Sequence, residues 1–186
     1  MIDRLINKIR EDDNNWDRYK DLFVEENIKA KNILLQEGEI AKYIFFIKTG
    51  CLRMWFNKDG KDITFQFFVE NQSVASIDSF LGNQPSLFTI ESIEPSKIIY
   101  ISKQSFFQIL ENYPDTYNDF QEIIFNRFRN YATLFLSRIK DSPYERYNNL
   151  VSSNPEIIKR IPQHYLASYL GITPVSLSRI RNRKRK

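Results

Sequence analysis

The chain has 186 residues, 42 % hydrophobic and 15 % aromatic, a composition that builds a core and excludes wholesale disorder. One cysteine, Cys51, and one histidine, His164, exclude an internal disulfide, a cysteine-ligated iron–sulfur cluster and a Cys/His zinc site within one chain, so no cofactor is expected and a cytoplasmic location is. The net charge of +4 hides a gradient: residues 1–139 hold 17 basic and 20 acidic side chains, and residues 140–186 hold 10 and 3. Charge alone leaves two readings open, a solvated basic terminus or a terminus that binds a polyanion.

The first 20 residues read as helix, with Leu5, Ile6 and Ile9 on one face and charges opposite. Charge within the first turns gives no secretory signal, and no apolar run approaches the ~18 residues of a membrane helix, so no membrane partner is expected. From about residue 23 the period shortens. Ile28–Ala30, Ile33–Leu35, Tyr43–Lys48, Cys51–Phe56, Ile63–Val69, Phe88–Ile93 and Ile98–Ile101 read as short strands. Turns fall at Gln36-Glu37-Gly38-Glu39 and Lys48-Thr49-Gly50. Asn57-Lys58-Asp59-Gly60-Lys61 is a hairpin signal, because Asp-Gly supplies the positive φ a tight turn needs. Such spacing predicts an antiparallel roll or barrel.

After Ser102 the pattern is helical. Phe106, Phe107 and Leu110 lie on a short helix that ends at Asn112-Tyr113-Pro114. Pro114 to Asp141 then has no internal Gly or Pro and predicts a helix roughly 42 Å long. Tyr117, Phe120, Ile124, Phe128, Tyr131 and Phe135 recur at spacings of 3 and 4 along it. That face predicts pairing with a second copy; a helix lying across its own domain is the alternative. Asp141-Ser142-Pro143 breaks the helix, and Tyr144–Val151 forms another. The expected organisation is a roll over 1–113, a dimerisation helix over 114–141 and a smaller domain over 142–186, an α+β chain.

Enzymatic constellations are missing from this inventory. His164 falls in a surface helix, no G-x-S-x-G elbow exists, and the five glycines are scattered, so no catalytic residue is assigned and a non-enzyme is expected.

The informative stretch is Gln163 to Ile180. It reads as helix, turn and helix. Ala167 is small where two helices cross closely. Gly171 can take the left-handed conformation that ends the first helix. Thr173 is an N-cap and Pro174 sits at N1. Leu177 and Ile180 face back toward Leu166 and Leu170, and Val175, Ser176, Ser178, Arg179, Asn182 and Arg183 stay on other faces. A small residue, then Gly at +4 and apolar residues at +10 and +13, is the spacing of a DNA-binding helix-turn-helix. Ser176 and Arg179 are the candidates for base edges, and Thr173 and Ser178 for phosphates. Arg181, Arg183 and Lys184–Lys186 would neutralise phosphates without sequence choice.

A roll, a long helix and a C-terminal helix-turn-helix, in this order and size, resemble the Crp/Fnr family of bacterial transcription regulators. The residues that carry the resemblance are Gln36-Glu37-Gly38-Glu39, Phe45 to Gly50, Asp59-Gly60-Lys61-Asp62, the long helix, and Tyr165 to Thr173. The resemblance implies a cyclic-nucleotide-binding-like β-roll of jelly-roll type with flanking helices. It also implies a homodimer that binds double-stranded DNA at a two-fold symmetric operator, a small-molecule effector in the roll, and RNA polymerase as a partner if the protein activates. Family members that bind cyclic nucleotides place a Glu and an Arg in the segment that here runs from Val74 to Phe88. Ser76 falls near the Glu position and Ser86 near the Arg position, and no Arg or Lys occurs from residue 62 to 96. Cyclic AMP is therefore not expected. Phe65, Phe80 and Phe88 could line a pocket for an apolar or neutral effector, or simply fill the roll. Pro174 and Val175 stand where many members have Arg and Glu, so the operator sequence is not carried over. The competing reading is a small-molecule sensor that acts through protein contacts without specific DNA binding.

Overall fold

The computed structural model describes residues 2–11 and 13–183. Helices α1 (Ile2–Arg10) and α2 (Asp13–Tyr19) replace the single helix expected at the start. The strands follow: β1 (Val24–Ile28), β2 (Ile33–Leu35), β3 (Tyr43–Thr49), β4 (Leu52–Lys58), β5 (Lys61–Phe68), β6 (Ser73–Val74), β7 (Thr89–Ser92) and β8 (Ser96–Ser102), with α3 (Ile77–Gly82) between β6 and β7. The remainder is helical: α4 (Lys103–Asn112), α5 (Pro114–Lys140), α6 (Pro143–Ser153), α7 (Pro155–Arg160), α8 (Gln163–Leu170) and α9 (Pro174–Arg183). Among the described residues no helix is long and apolar enough to cross a membrane.

The strands form two antiparallel four-stranded sheets, β1-β8-β3-β6 and β2-β7-β4-β5. This is the expected roll, and the architecture agrees with the α+β expectation. Register places Ile44 opposite Ile101 and Phe46 opposite Ile99, and Met54 opposite Ile90. All six are buried, and so are Phe45 and Ile47 beside them, so β3 carries a continuous buried run rather than an alternating one. The first strand, expected over Ile28–Ala30, runs instead over Val24–Ile28, and the chain turns after it at Lys31, which takes a left-handed φ of 63°. At the corner after β3, Gly50 has φ +106°, and a Cβ there would lie 2.1 Å from Ser96 Oγ. Only glycine fits this approach.

The chain divides into two compact units. The first comprises residues up to Phe56 together with Gln66–Gln121. It contains the roll core and an aromatic cluster in which Phe106 packs edge-on against Phe80 and Phe120, at 6.1 and 5.0 Å between centroids. Helix α4 starts at Ser102, whose hydroxyl accepts from the Ser105 amide at 3.1 Å.

The second unit comprises Glu122–Lys186 and, from the middle of the roll sequence, Asn57–Phe65, the tip of the β4–β5 hairpin. Asp59 and Gly60 have φ of 53° and 75°, the two positive values of a type I′ turn. Helix α6 begins with a capping box. The Ser142 hydroxyl accepts from the Glu145 amide at 3.3 Å, and the Glu145 carboxylate accepts from the Ser142 amide at 2.7 Å. Tyr147, Leu150, Ile157, Ile161, Leu166, Ala167, Leu170 and Leu177 are the buried residues of α6 to α9 and their connections.

Candidate nucleic-acid interface

Helices α8 and α9 are built as their spacing predicts. Gly171 ends α8 in the left-handed conformation, φ 68°, and the Ile172 amide reaches back to the Ala167 carbonyl at 3.0 Å. The Thr173 hydroxyl accepts from the Ser176 amide at 3.1 Å, which caps α9 with Pro174 in its first turn. Ala167 and Leu177 are fully buried, so the two helices cross closely on an apolar contact.

That packing decides which side of α9 faces outward. Val175, Ser178, Arg179, Asn182 and Arg183 are exposed, while Ser176, Ile180 and Arg181 are half-buried. Of the expected site residues, Ser178, Arg179 and Arg183 thus share one face, at helical spacing. Thr173 and Ser176 lie at the helix start with their hydroxyls 3.0 Å apart, part of the cap. Val175 and Asn182 belong to the same face as Arg179, being four residues before it and three after it. Lys184–Lys186 lie outside the described residues. No acidic residue follows Glu156 in the sequence, so no carboxylate on α8 or α9 offsets these cations. His164 is exposed beside Tyr165, with ring centroids 4.0 Å apart.

The long helix has two apolar faces. Phe120 is buried against Phe106 and Phe107 in the first unit, and Tyr131 packs edge-on against Phe65 at 4.9 Å in the second. Burial pushes the Tyr131 hydroxyl up from its ordinary pKa, with Arg127 acting against it, and lowers that of Arg127. Ile124 is half-buried. Phe120 and Tyr131 therefore serve their own chain. Phe125, Phe128, Phe135 and Ile139 are 63 to 69 % exposed, and Tyr117 is exposed as well. With Ala132, four of these residues give Phe125, Phe128, Ala132, Phe135 and Ile139, an uninterrupted 3-4-3-4 spacing. Of the six residues of the expected face, Phe128 and Phe135 lie on this stripe.

In the roll, the structure brings Ser76 and Ser86 together. Their hydroxyls are 2.9 Å apart and both residues are buried. The Ser86 hydroxyl also donates to the Phe88 carbonyl at 2.6 Å. The two groups satisfy each other rather than wait for an anion. The three rings expected beside them go to separate places: Phe80 to the core with Phe106 and Phe107, Phe65 to Tyr131, and Phe88 to Phe56 at 6.3 Å.

Sequence reading missed the roll's buried charge. Arg53 on β4 sits opposite Glu91 on β7. Its Nε and Nη2 both donate to Glu91 Oε2, at 3.0 and 2.7 Å, and its guanidinium lies 4.7 Å from the Trp55 ring centroid. The residues stand 38 positions apart, and no local pattern joins them. Among the described residues no group of His, Cys, Asp and Glu is placed to hold a metal ion.

Residues 25–113 match the model of the cyclic nucleotide-binding domain family. The fold around it is that of the Crp/Fnr regulators, as the sequence resemblance implied. FixK2 from Bradyrhizobium japonicum is 15 % identical, with a TM-score of 0.74 over 87 % of this chain and 83 % of its own. CLP from Xanthomonas campestris, a c-di-GMP-responsive global regulator, is 12 % identical, with a TM-score of 0.72 over 94 % of this chain and 92 % of its own. CooA from Carboxydothermus hydrogenoformans, solved as a double mutant, is 15 % identical, with a TM-score of 0.70 over 89 % of this chain and 77 % of its own. At these identities the agreement is one of fold. No curated protein matches the chain in sequence.

Proposed function

We propose that the chain is a non-enzymatic, homodimeric transcription regulator that binds double-stranded DNA through α9. The observation that carries this reading is the outer face of α9: Val175, Ser178, Arg179, Asn182 and Arg183 stand exposed on a helix capped by Thr173 and seated on buried Leu177. An α-helix of this kind fits the major groove, and a groove-facing arginine bonds a guanine edge bidentately. Arg179 is the base reader, with Ser176 beside it at the helix start. Thr173 and Ser178 contact phosphate, and Arg181, Arg183 and Lys184–Lys186 supply salt-dependent affinity.

The dimer forms along Phe125, Phe128, Ala132, Phe135 and Ile139. A 3-4-3-4 apolar stripe is what one helix offers to a second copy of itself in a coiled coil. Two copies of α9 then read half-sites about one helical turn apart. The protein works in the cytoplasm, and if it activates transcription its further partner is RNA polymerase. Selecting bound fragments from genomic DNA tests this reading. Enriched fragments should share a two-fold symmetric sequence, and binding should weaken steeply between 50 and 200 mM salt, by about 10³-fold for roughly six phosphate contacts. Failure to enrich any fragment at low salt overturns it.

The roll does not bind cyclic AMP. Ser76 and Ser86 stand where a carboxylate and a guanidinium would be needed, their hydroxyls pair with each other, and no cation lies between residues 62 and 96. A buried phosphate without a charged partner is strongly disfavoured. Calorimetric titration should show no cyclic AMP binding below millimolar concentration, and micromolar binding would reverse this assignment.

A further inference from the structure

We propose that Ser168 is the positioning residue that fixes the orientation of α8 and α9 by completing the edge of the β4–β5 hairpin. Strand β5 is the outermost of its sheet. In a two-residue type I′ hairpin, Lys58 and Lys61 form the hydrogen-bonded pair next to the turn, so the backbone groups of Asp62 and Thr64 point away from β4, off the sheet edge. The Ser168 hydroxyl meets both. It donates to the Asp62 carbonyl at 3.0 Å and accepts from the Thr64 amide at 2.9 Å. One hydroxyl thus does what a residue of a neighbouring strand does with its own C=O and N–H. Serine and threonine carry such a combined donor and acceptor on a short stem; alanine carries neither.

The contact closes a ring of attachments within the second unit. Phe65 of the hairpin packs on Tyr131 of α5 at 4.9 Å. Arg138 of α5 donates to the Tyr169 carbonyl at 2.9 Å, and Arg146 of α6 donates to the Leu170 carbonyl at 3.1 Å and also to the Asp141 carbonyl at 2.6 Å. These guanidiniums hold the C-terminal end of α8, where carbonyls lack helical partners. Both of these attachments lie at one end of α8. Ser168 adds the third, to a different element. Helix α9 packs on α8 and moves with it, so the Ser168 contact sets the direction in which Arg179 faces.

This inference rests on the DNA-binding reading above for its consequence, although not for the contact itself. In a dimer, affinity for two half-sites depends on how the two α9 helices are spaced and aimed, whereas affinity for one half-site does not. The experiment compares Ser168→Ala and Ser168→Thr with the parent protein. The probes are a duplex selected from the genome by the parent and the same duplex cut to one half-site. Ser168→Ala should bind the full duplex about tenfold more weakly, bind the half-site within twofold of the parent, and exchange the Thr64 amide faster without DNA; Ser168→Thr should behave as the parent. Thr64→Pro removes the amide from the other side with Ser168 intact, at a position whose N–H points away from β4, and should reproduce the loss. Equal weakening on both duplexes, unchanged binding to the full duplex, or unchanged Thr64 exchange in Ser168→Ala overturns the proposal. If the parent selects no duplex, the DNA-binding reading fails, and the Thr64 exchange rate still decides whether the contact exists.

Discussion

The roll and the C-terminal helices put arginine to opposite uses. Arg53 is 1 % exposed, with two of its nitrogens on one Glu91 oxygen and its plane beside Trp55. Arg179 and Arg183 stand in solvent on a helix pair with no carboxylate of its own. The same side chain closes a buried pair where its charge is answered and stands in solvent where it is not. Residue type alone therefore says little about role; the surroundings of the charge decide it.

The strongest way to break this contrast is to remove one half of the buried pair. Arg53→Ala should destabilise the protein by about 3–5 kcal/mol, because Glu91 keeps its desolvation cost and loses its partner. Exchanging both residues for apolar ones of similar volume should recover most of the loss in denaturant unfolding. A single variant that melts like the parent would mean that water already reaches the pair.

The two faces of α5 offer the next test. Phe120→Ala should cost about 3–5 kcal/mol of fold stability, since it opens a cavity among Phe106 and Phe107. Phe135→Glu should leave the fold intact and raise the dimer dissociation constant by about a hundredfold, read by sedimentation. If Phe135→Glu unfolds the protein instead, the stripe is covered by the chain itself.

A smaller effect separates the cations of α9. Arg179→Ala should cost about 1–3 kcal/mol of specific binding and relax preference at one base position. Arg183→Ala should weaken binding to all duplexes alike and lower the salt slope by about one. The smallest effect belongs to Glu145, whose carboxyl is held below its ordinary pKa by the Ser142 amide and hydroxyl. A pKa depressed by folding means the contribution is present above the ordinary carboxylate value, about 4.3, and is lost as pH falls through the folded value. Thermal unfolding of Glu145→Gln, which can cap without titrating, should lack that acid-side component.

What the sequence made legible follows from range. The α8–α9 turn rests on residues within a dozen positions of one another, and Ala167, Gly171, Thr173 and Pro174 all take their predicted places. Short elements escaped: β6 has two residues and α3 six, too few for any period to show. Helix α7, six residues between Pro155 and Ile161, was hidden by the prolines that frame it. On α5 the helix was legible but its faces were not. Aromatic residues occur around most of its circumference, so a spacing rule links Phe120 to Phe128 although one faces the core and the other does not. The Arg53–Glu91 pair and the hairpin-to-α8 contact, 104 and 106 positions apart for its two bonds, leave no local trace.

The Ser168 contact has a consequence for solubility. An outermost strand with open backbone groups is a template on which another chain can add a strand and begin aggregation. At the tip of β5 the groups of Asp62 and Thr64 are already taken by a side chain, and Lys58 and Lys61 flank the turn with charge. Helix α8 thus also serves as a stopper on the sheet, and a chain in which this contact is lost would expose the open backbone groups of Asp62 and Thr64 to a strand of another chain.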